Sequence, residues 1–152
     1  AKRPIDLRGV IESAVEAIRP LAAANDAEIQ LDLAEGNDEI VAAPDAVRII
    51  LTNLLDNAIK YGGSKPDIVV GLHLSQDTAT IEISDTGPGI PPEERRKVLR
   101  PFYQVDSRLS RSGEGCGLGL NICSSLIRAH SGKLVIEDAE DGGASMVVTL
   151  PR

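Results

Sequence analysis

The sequence is short of aromatic residues and of cysteines. It has one phenylalanine, two tyrosines and no tryptophan among 152 residues, so Leu, Ile, Val and Ala must fill its core. Its two cysteines, Cys116 and Cys123, stand seven residues apart, which matches neither a disulfide framework nor the spacing of metal ligands. We therefore expect a protein of a reduced, cytoplasmic setting.

Positive charge is also scarce. The chain carries 16 Lys and Arg against 23 Asp and Glu, a net charge of −7. Nucleic acids and anionic membranes bind basic surfaces, so neither is expected as the main partner. No apolar run approaches the roughly 18 residues that span a bilayer, and no signal peptide opens the chain. Because the chain begins at Ala1 rather than at Met, we expect it to be a piece of a longer protein.

The periodicity of apolar residues predicts the fold of a single domain. Helical spacing predicts helices over residues 7–25, 45–61, 91–99 and 118–130, and alternation predicts strands over residues 29–33, 39–42, 67–74, 78–84, 133–137 and 144–150. Asp6 is the expected N-cap of the first helix. We expect the strands to pair as three consecutive hairpins, the first joining 29–33 to 39–42. The result is an α/β two-layer sandwich, with a mixed, mostly antiparallel sheet covered on one face by three long helices.

The helix over 45–61 contains the sequence NLLDNAIKY. Asn53, Asn57 and Lys60 cluster on one flank of its apolar stripe, with Tyr61 at the edge. A solvated polar face would explain two asparagines equally well. Amide oxygens, however, are hard donors that suit Mg²⁺, an ion that also takes ligands from substrate phosphates. With Lys60 one turn further on, this flank could face a nucleotide polyphosphate.

The sequence DTGPGI, residues 85–90, follows a predicted strand. One explanation of this composition is a simple turn, since Asp, Gly and Pro are all favoured in turns. The functional alternative is that Asp85, at the end of a strand, accepts a hydrogen bond from the exocyclic amino group of adenine. Gly87 and Gly89 would then let a ligand approach the backbone.

A third glycine-rich sequence, GEGCGLGL, opens the helix predicted over 118–130. Backbone N–H groups at a helix start bind phosphate, and glycines allow close approach. The spacing does not match a dinucleotide fingerprint, because Leu118 stands where the third glycine is needed, and no P-loop sequence is present.

The few aromatic residues are concentrated near these sequences. Phe102 and Tyr103 lie in the long irregular stretch before Leu118, and Tyr61 ends NLLDNAIKY. Long loops in compact domains are usually functional. Packing of a loop could explain Phe102 and Tyr103, but it does not explain why every aromatic residue lies beside glycines and arginines.

Taken in order, NLLDNAIKY, DTGPGI, PFYQVD and GCGLGL resemble the N box, first glycine box, F box and second glycine box of sensor histidine kinase ATP-binding domains. These domains share the Bergerat fold with gyrase, Hsp90 and MutL ATPases. The resemblance covers residues 1–152 as one domain and implies that it binds ATP and Mg²⁺.

The resemblance also implies a role for individual residues. Asn57 would be the Mg²⁺ ligand and, with Lys60, a catalytic residue; Asp85 would read the adenine amino group; residues of about 100–116 would form a mobile ATP lid. The other implied nucleotide-binding residues are Asn53, Tyr61, Gly87, Gly89, Ile90, Phe102, Tyr103, Arg108, Arg111, Gly115, Cys116, Gly117, Leu118 and Gly119.

Two positions depart from the family pattern. Gln104 stands where many members carry Arg, so the positive charge at the phosphates is expected from Arg108 or Arg111 instead. Cys116 stands between the glycines in place of a Thr or Ser, and we interpret it as a tolerated small residue.

One position separates the branches of this fold. Gyrase-like and Hsp90-like ATPases carry a glutamate general base four residues before the Mg²⁺ ligand. Here that residue is Asn53, whose amide cannot accept a proton. A protein-histidine kinase is therefore expected, transferring the γ-phosphoryl group to a histidine outside this chain. A serine-directed anti-sigma-factor kinase and a non-catalytic nucleotide-sensing module of the same fold remain the alternatives.

The resemblance also implies the partners. They are the protein's own dimerisation and phosphoacceptor domain, which would make the full-length protein a homodimer, and a cognate response regulator. No nucleic acid and no direct membrane contact are expected. Neither His73, in a predicted strand, nor His130, in the last turn of a helix where positive charge is favourable, resembles the phosphoacceptor.

Overall fold

Seven strands and three helices are present in the computed structural model, which describes residues 1–87, 93, 118–139 and 142–152. The strands are β1 (Arg3–Asp6), β2 (Glu28–Leu33), β3 (Glu39–Ala42), β4 (Asp67–Leu74), β5 (Thr78–Asp85), β6 (Lys133–Asp138) and β7 (Ala144–Pro151), and the helices are α1 (Leu7–Ala24), α2 (Pro44–Tyr61) and α3 (Leu118–Ala129). Apart from the helix predicted over 91–99, which lies outside these residues except for Glu93, every predicted element is found with ends that differ by at most one residue.

The main sheet has five strands in the order β2-β4-β5-β7-β6. The predicted hairpins of β4 with β5 and of β6 with β7 are confirmed, and β5 also pairs antiparallel with β7. Only β2 runs parallel to its neighbour, β4. The sheet is therefore mixed and mostly antiparallel, as predicted.

The predicted hairpin of β2 with β3 is wrong. β3 pairs instead with β1, a short strand that sequence patterning did not reveal, and the two form a separate sheet in which Ile5 faces Ile40. β2 crosses to the edge of the main sheet, where Ile29 lies beside Ile68. Tertiary packing therefore overrides the local turn signal.

The core lies between the main sheet and the helices. Buried side chains alternate along β4 and β5, and they face one layer in which α1 packs near β2, α2 near β5 and α3 near β6. Helix α2 lies between α1 and α3 and buries seven residues: Val47, Ile50, Leu51, Leu54, Leu55, Ala58 and Ile59. The three-helix cover predicted from the sequence is confirmed.

The start of α1 is held by a residue from a distant turn. Asp6 occupies the N-cap position, but its side chain makes no capping hydrogen bond. Asp38 supplies the acceptor instead: its Oδ2 accepts from the Arg8 backbone N–H at 2.7 Å and lies 3.6 Å from the Arg8 guanidinium. The expected capping by Asp6 is thus replaced by the carboxylate of Asp38, 30 residues beyond the Arg8 N–H that it caps.

Among the residues that the structure describes, no helix is long and apolar enough to cross a membrane.

Candidate functional site

Helix α3 lies antiparallel to α2. At the end of α3, His130 Nε2 accepts a hydrogen bond of 3.1 Å from the Ala43 N–H, which precedes α2. Further back along α3, the Cys123 thiol donates to the carbonyl oxygen of Ile50 at 3.5 Å. Because both helices rise equally per residue, the start of α3 at Leu118 lies level with about residues 55–58 of α2. The positive end of the α3 dipole is therefore on the level of Asn57.

The orientation of the Asn57 amide is fixed by its own helix. Its Nδ2 donates to the carbonyl oxygen of Asn53 at 2.9 Å, so Oδ1 is turned the other way. No donor among the described residues reaches that Oδ1. An outward amide oxygen fits the needs of Mg²⁺, which takes few protein oxygens and completes its shell with water and phosphate. The nearby N-terminus of α3 favours the phosphate and not the cation.

Among the part of the chain that the structure describes, no group of three or more His, Cys, Asp or Glu side chains is placed to hold a metal ion.

Asn53 contacts α3 through its side chain. It is hydrogen-bonded to the thiol of Cys123, which is fully buried. Since the Cys123 proton is donated to Ile50, the Asn53 amide acts as the donor. Burial raises the pKa of the Cys123 thiol to about 12, and the bond from Asn53 only partly offsets this effect. The thiol is therefore neutral at physiological pH.

Lys60 forms an ion pair within α2. Its Nζ lies 3.0 Å from Asp56 Oδ2, one turn back. The ammonium group remains on the flank that carries Asn53 and Asn57, as the sequence predicts, but Asp56 balances its charge. Its expected catalytic role stays a prediction.

Gly87, two residues after the end of β5, packs closely against the end of α2. A Cβ at Gly87 would lie 2.5 Å from the carbonyl oxygen of Tyr61 and 2.6 Å from the Cα of Gly62. Sequence analysis assigned this glycine to the approach of a ligand. The structure shows a further reason for glycine, since the close approach here is between two segments of the protein's own backbone. The expected role of Gly87 toward a ligand stays a prediction.

Asp85 is a buried carboxylate, only 8% exposed. Its Oδ1 accepts hydrogen bonds from the Gly87 N–H at 2.8 Å and from the Ala144 N–H at 3.4 Å. Desolvation by burial raises the pKa of Asp85, and the two backbone hydrogen bonds act in the opposite direction. No described residue donates to Oδ2, which leaves that oxygen to accept from a ligand.

Sequence analysis missed Ala144 and the glycine before it. The sequence Asp141-Gly142-Gly143 predicts a hairpin turn, and β6 and β7 do pair antiparallel, with Gly142 and Gly143 directly before β7. Nothing in the local sequence shows that the turn lies against Asp85, because the contact depends on β5 and β7 being neighbours in the sheet.

Several predicted site residues cannot be placed. Leu118 and Gly119 begin α3, as expected. Gly89, Ile90, Phe102, Tyr103, Arg108, Arg111, Gly115, Cys116 and Gly117 lie outside the described residues, as does the expected lid.

A separate cavity of about 700 Å³ lies on the face of the main sheet that the helices leave open. Its lining is polar and acidic, from residues such as Glu28, Asp32 and Glu82, and it reaches Asp85 at one end. None of Asn53, Asn57, Lys60 or Tyr61 lines it. We therefore place the candidate site at the ends of α2 and β5 and the start of α3, and not in this cavity.

Comparison with known proteins identifies the family. Residues 42–152 match the family described as histidine kinase-, DNA gyrase B-, and HSP90-like ATPase. The chain belongs to this ATPase family. Its mixed sheet with three helices on one face is the fold of known histidine kinase catalytic domains.

Relatives within the ATPase family include sensor kinases. The chain is 36% identical over 125 residues to the adaptive-response sensory kinase SasA of Trichormus variabilis, covering 82% of this chain and 31% of SasA. It is 40% identical over 108 residues to the sensor histidine kinase CpxA of Escherichia coli, covering 71% of this chain and 23% of CpxA. The chain thus spans about a third or less of the length of these relatives.

A solved structure agrees with this assignment. The match to full-length ShkA in complex with AMPPNP covers 99% of this chain and 31% of the ShkA chain, with a TM-score of 0.86 and 26% sequence identity.

Proposed function

We propose that this chain is the ATP-binding catalytic domain of a two-component sensor histidine kinase. It binds MgATP and transfers the γ-phosphoryl group to a histidine on a dimerisation and phosphoacceptor domain outside this chain. The observation that carries the proposal is the pair Asn53 and Asn57 on one flank of α2, with an outward amide oxygen at Asn57 and no carboxylate at position 53. The sensor kinases among its relatives and the AMPPNP complex of ShkA support it.

Each described site residue has a part in this function. Asp85 accepts a hydrogen bond from the adenine amino group at Oδ2, since Oδ1 is already held by Gly87 and Ala144. The N-terminus of α3 provides backbone N–H groups for phosphate. Asn57 Oδ1 would hold Mg²⁺, which would supply charge neutralisation at the transferring phosphate.

The lack of a base at position 53 favours transfer to a protein group over transfer to water. The Asn53 amide cannot take a proton from a water molecule, and it is in any case hydrogen-bonded to Cys123. The histidines of this chain are not suited as acceptors. Both ring nitrogens of His130 are engaged, Nδ1 with the Leu126 carbonyl oxygen at 2.9 Å and Nε2 with Ala43, and His73 lies on the open face of the sheet.

His130 has a structural role, which works through hydrogen bonds to two elements: the Leu126 carbonyl oxygen in α3 and the Ala43 N–H before α2.

The parent protein follows from the same proposal. It would be a homodimer that passes its phosphoryl group to a cognate response regulator, with this domain in the cytoplasm. Nucleic acid is not proposed as a partner, because the chain's net charge is −7.

The test is Asn57→Ala in a protein that includes the phosphoacceptor helices. Phosphohistidine formation should fall by at least about a hundredfold, the loss typical of removing one charge-stabilising group, while the melting temperature changes little. Asn25→Ala is a matched control, because the Asn25 amide makes the same 2.9 Å bond to the carbonyl four residues back, at the end of α1. Unfolding of Asn57→Ala, or full activity in it, would contradict the proposal.

A further inference from the structure

The turn between β6 and β7 makes direct contact with Asp85. The Ala144 N–H donates to Asp85 Oδ1 across 59 residues of sequence. Together with the Gly87 N–H it occupies one oxygen of a carboxylate that is nine-tenths buried. A carboxylate held at one oxygen by two rigid backbone donors has a fixed rotation, so the direction in which Oδ2 points is fixed as well.

The residue before Ala144 makes this contact possible. Gly143 has φ +77°, and a Cβ there would lie 2.8 Å from both the carbonyl carbon and Oδ1 of Asp85. These are positions that a real Cβ atom does not occupy. Any side chain at 143 must therefore push the turn away from Asp85, and the Ala144 N–H would move with it.

Its neighbour Gly142 provides a natural comparison. Gly142 has φ +84°, almost the same backbone conformation, but a Cβ there would meet nothing within 4 Å. Alanine at either position carries a similar conformational cost. Only alanine at 143 would displace the backbone that holds Asp85.

We propose that Gly143 is a positioning residue for recognition of the nucleotide base: its missing side chain lets the β6–β7 turn hold Oδ1 of Asp85, so that Oδ2 is aimed at an amino group on a purine. The inference rests on the proposed function, in which Asp85 reads adenine. It adds a determinant of base selectivity that lies outside the four sequence motifs and does not itself touch the nucleotide.

The experiment measures binding of MgATP and MgGTP by calorimetry to the wild-type chain, Gly142→Ala and Gly143→Ala, with the melting temperature of each. Both variants should lose stability from backbone strain, and Gly143→Ala should lose more, because its Cβ also meets Asp85. Gly142→Ala should keep wild-type affinity for ATP to within about twofold. Gly143→Ala should bind ATP about tenfold more weakly or worse, the usual effect of losing a hydrogen bond to a charged acceptor, and its preference for ATP over GTP should shrink toward one.

A general loss of stability does not change the ratio of the ATP and GTP affinities, so this ratio separates positioning from a structural role. Wild-type selectivity in Gly143→Ala, or an equal loss in Gly142→Ala, would overturn the inference while leaving the proposed function intact. A wild-type chain that does not distinguish ATP from GTP would overturn the adenine assignment, and this inference with it.

A second measurement covers the case in which Gly143→Ala does not fold. In the wild-type chain, the amide proton of Ala144 should show the chemical shift of a donor to a carboxylate, and Asp85→Asn, which changes no volume, should shift it upfield. An Ala144 resonance that Asp85→Asn leaves unchanged would overturn the inference without any change at position 143.

Discussion

The carboxylate of Asp85 shows how a single residue can be held ready for a ligand at the expense of stability. It is buried and ionisable, and it has two backbone donors on one oxygen. Burial raises its pKa above the ordinary value of 3.8. Since folding favours the protonated form, its contribution to stability is present at low pH and is lost as the pH rises through the folded-state pKa.

Asp85→Asn should therefore be at least as stable as the wild type at neutral pH. Its affinity for ATP should nevertheless fall about tenfold or more, because the amide would turn its NH₂ group toward the adenine amino group. Wild-type affinity should also weaken as the pH is lowered through the raised pKa, where the carboxylate is lost. Calorimetry and melting curves between about pH 4 and 8 check both effects; a destabilised variant with normal affinity would contradict them.

Cys123 is the second residue whose environment makes a direct prediction. Burial raises the pKa of its thiol to about 12, and the thiolate is the reactive form. In a Cys116→Ser variant, which leaves Cys123 as the only cysteine, a disulfide reagent at pH 8 should not label the folded protein and should label it fully in denaturant. Rapid labelling without unfolding would show that α3 opens away from α2.

At the scale of elements, Gly87 lets the chain after β5 pack closely against the end of α2. Gly87→Ala would place a Cβ 2.5 Å from the Tyr61 carbonyl oxygen and 2.6 Å from the Gly62 Cα. Neither backbone atom can move without displacing the end of α2, so we expect a loss of roughly 1–3 kcal/mol in the free energy of unfolding.

Gly9→Ala is the control for that substitution. Gly9 lies within α1, and a Cβ there would meet nothing within 4 Å. Replacing a helical glycine by alanine stabilises a helix by up to about 1 kcal/mol. Denaturant unfolding of both variants compares them, and equal effects would show that Gly87 is not in close contact with α2.

The sequence predicted the bounds of the helices and strands well, but it did not predict which strand pairs with β2. The alternating apolar residues of β4 and β5 and the helical stripe of α2 gave bounds within one residue of those observed. The pairing of β2 with β4 could not be predicted, because a parallel pair leaves no turn signal between its strands. The contact of the β6–β7 turn with Asp85 was hidden as well, because β5 and β7 are not consecutive strands and no turn signal links them.

At the scale of the whole molecule, the proposed kinase domain lacks its acceptor: among the residues that the structure describes, Asn53 offers no base for water and neither His73 nor His130 is suited to accept phosphate. Incubated alone with radiolabelled ATP, it should neither label itself nor hydrolyse ATP appreciably. Tighter nucleotide binding cannot replace a missing acceptor, because phosphoryl transfer depends on positioning.

Supplying the dimerisation and phosphoacceptor helices, in cis or in trans, should then produce acid-labile phosphohistidine. Vigorous Mg²⁺-dependent hydrolysis by the chain alone, abolished by Asn57→Ala, would contradict the assignment and move the protein toward the ATPase branch of its family.

The sequence by itself determined the elements, the family and the chemical types at the site, since periodicity and short motifs are local properties of a chain. Tertiary structure alone decided which atoms of those residues are available: Asn57 Oδ1 is turned outward because Nδ2 is bound to Asn53, and Asp85 Oδ2 is left for a ligand because Gly87 and Ala144 hold Oδ1. It also decided that Gly87 and Gly143 serve backbone packing. The physical reason is that availability depends on donors and steric neighbours that distant segments supply, and these segments come together only when the sheet and the helices pack.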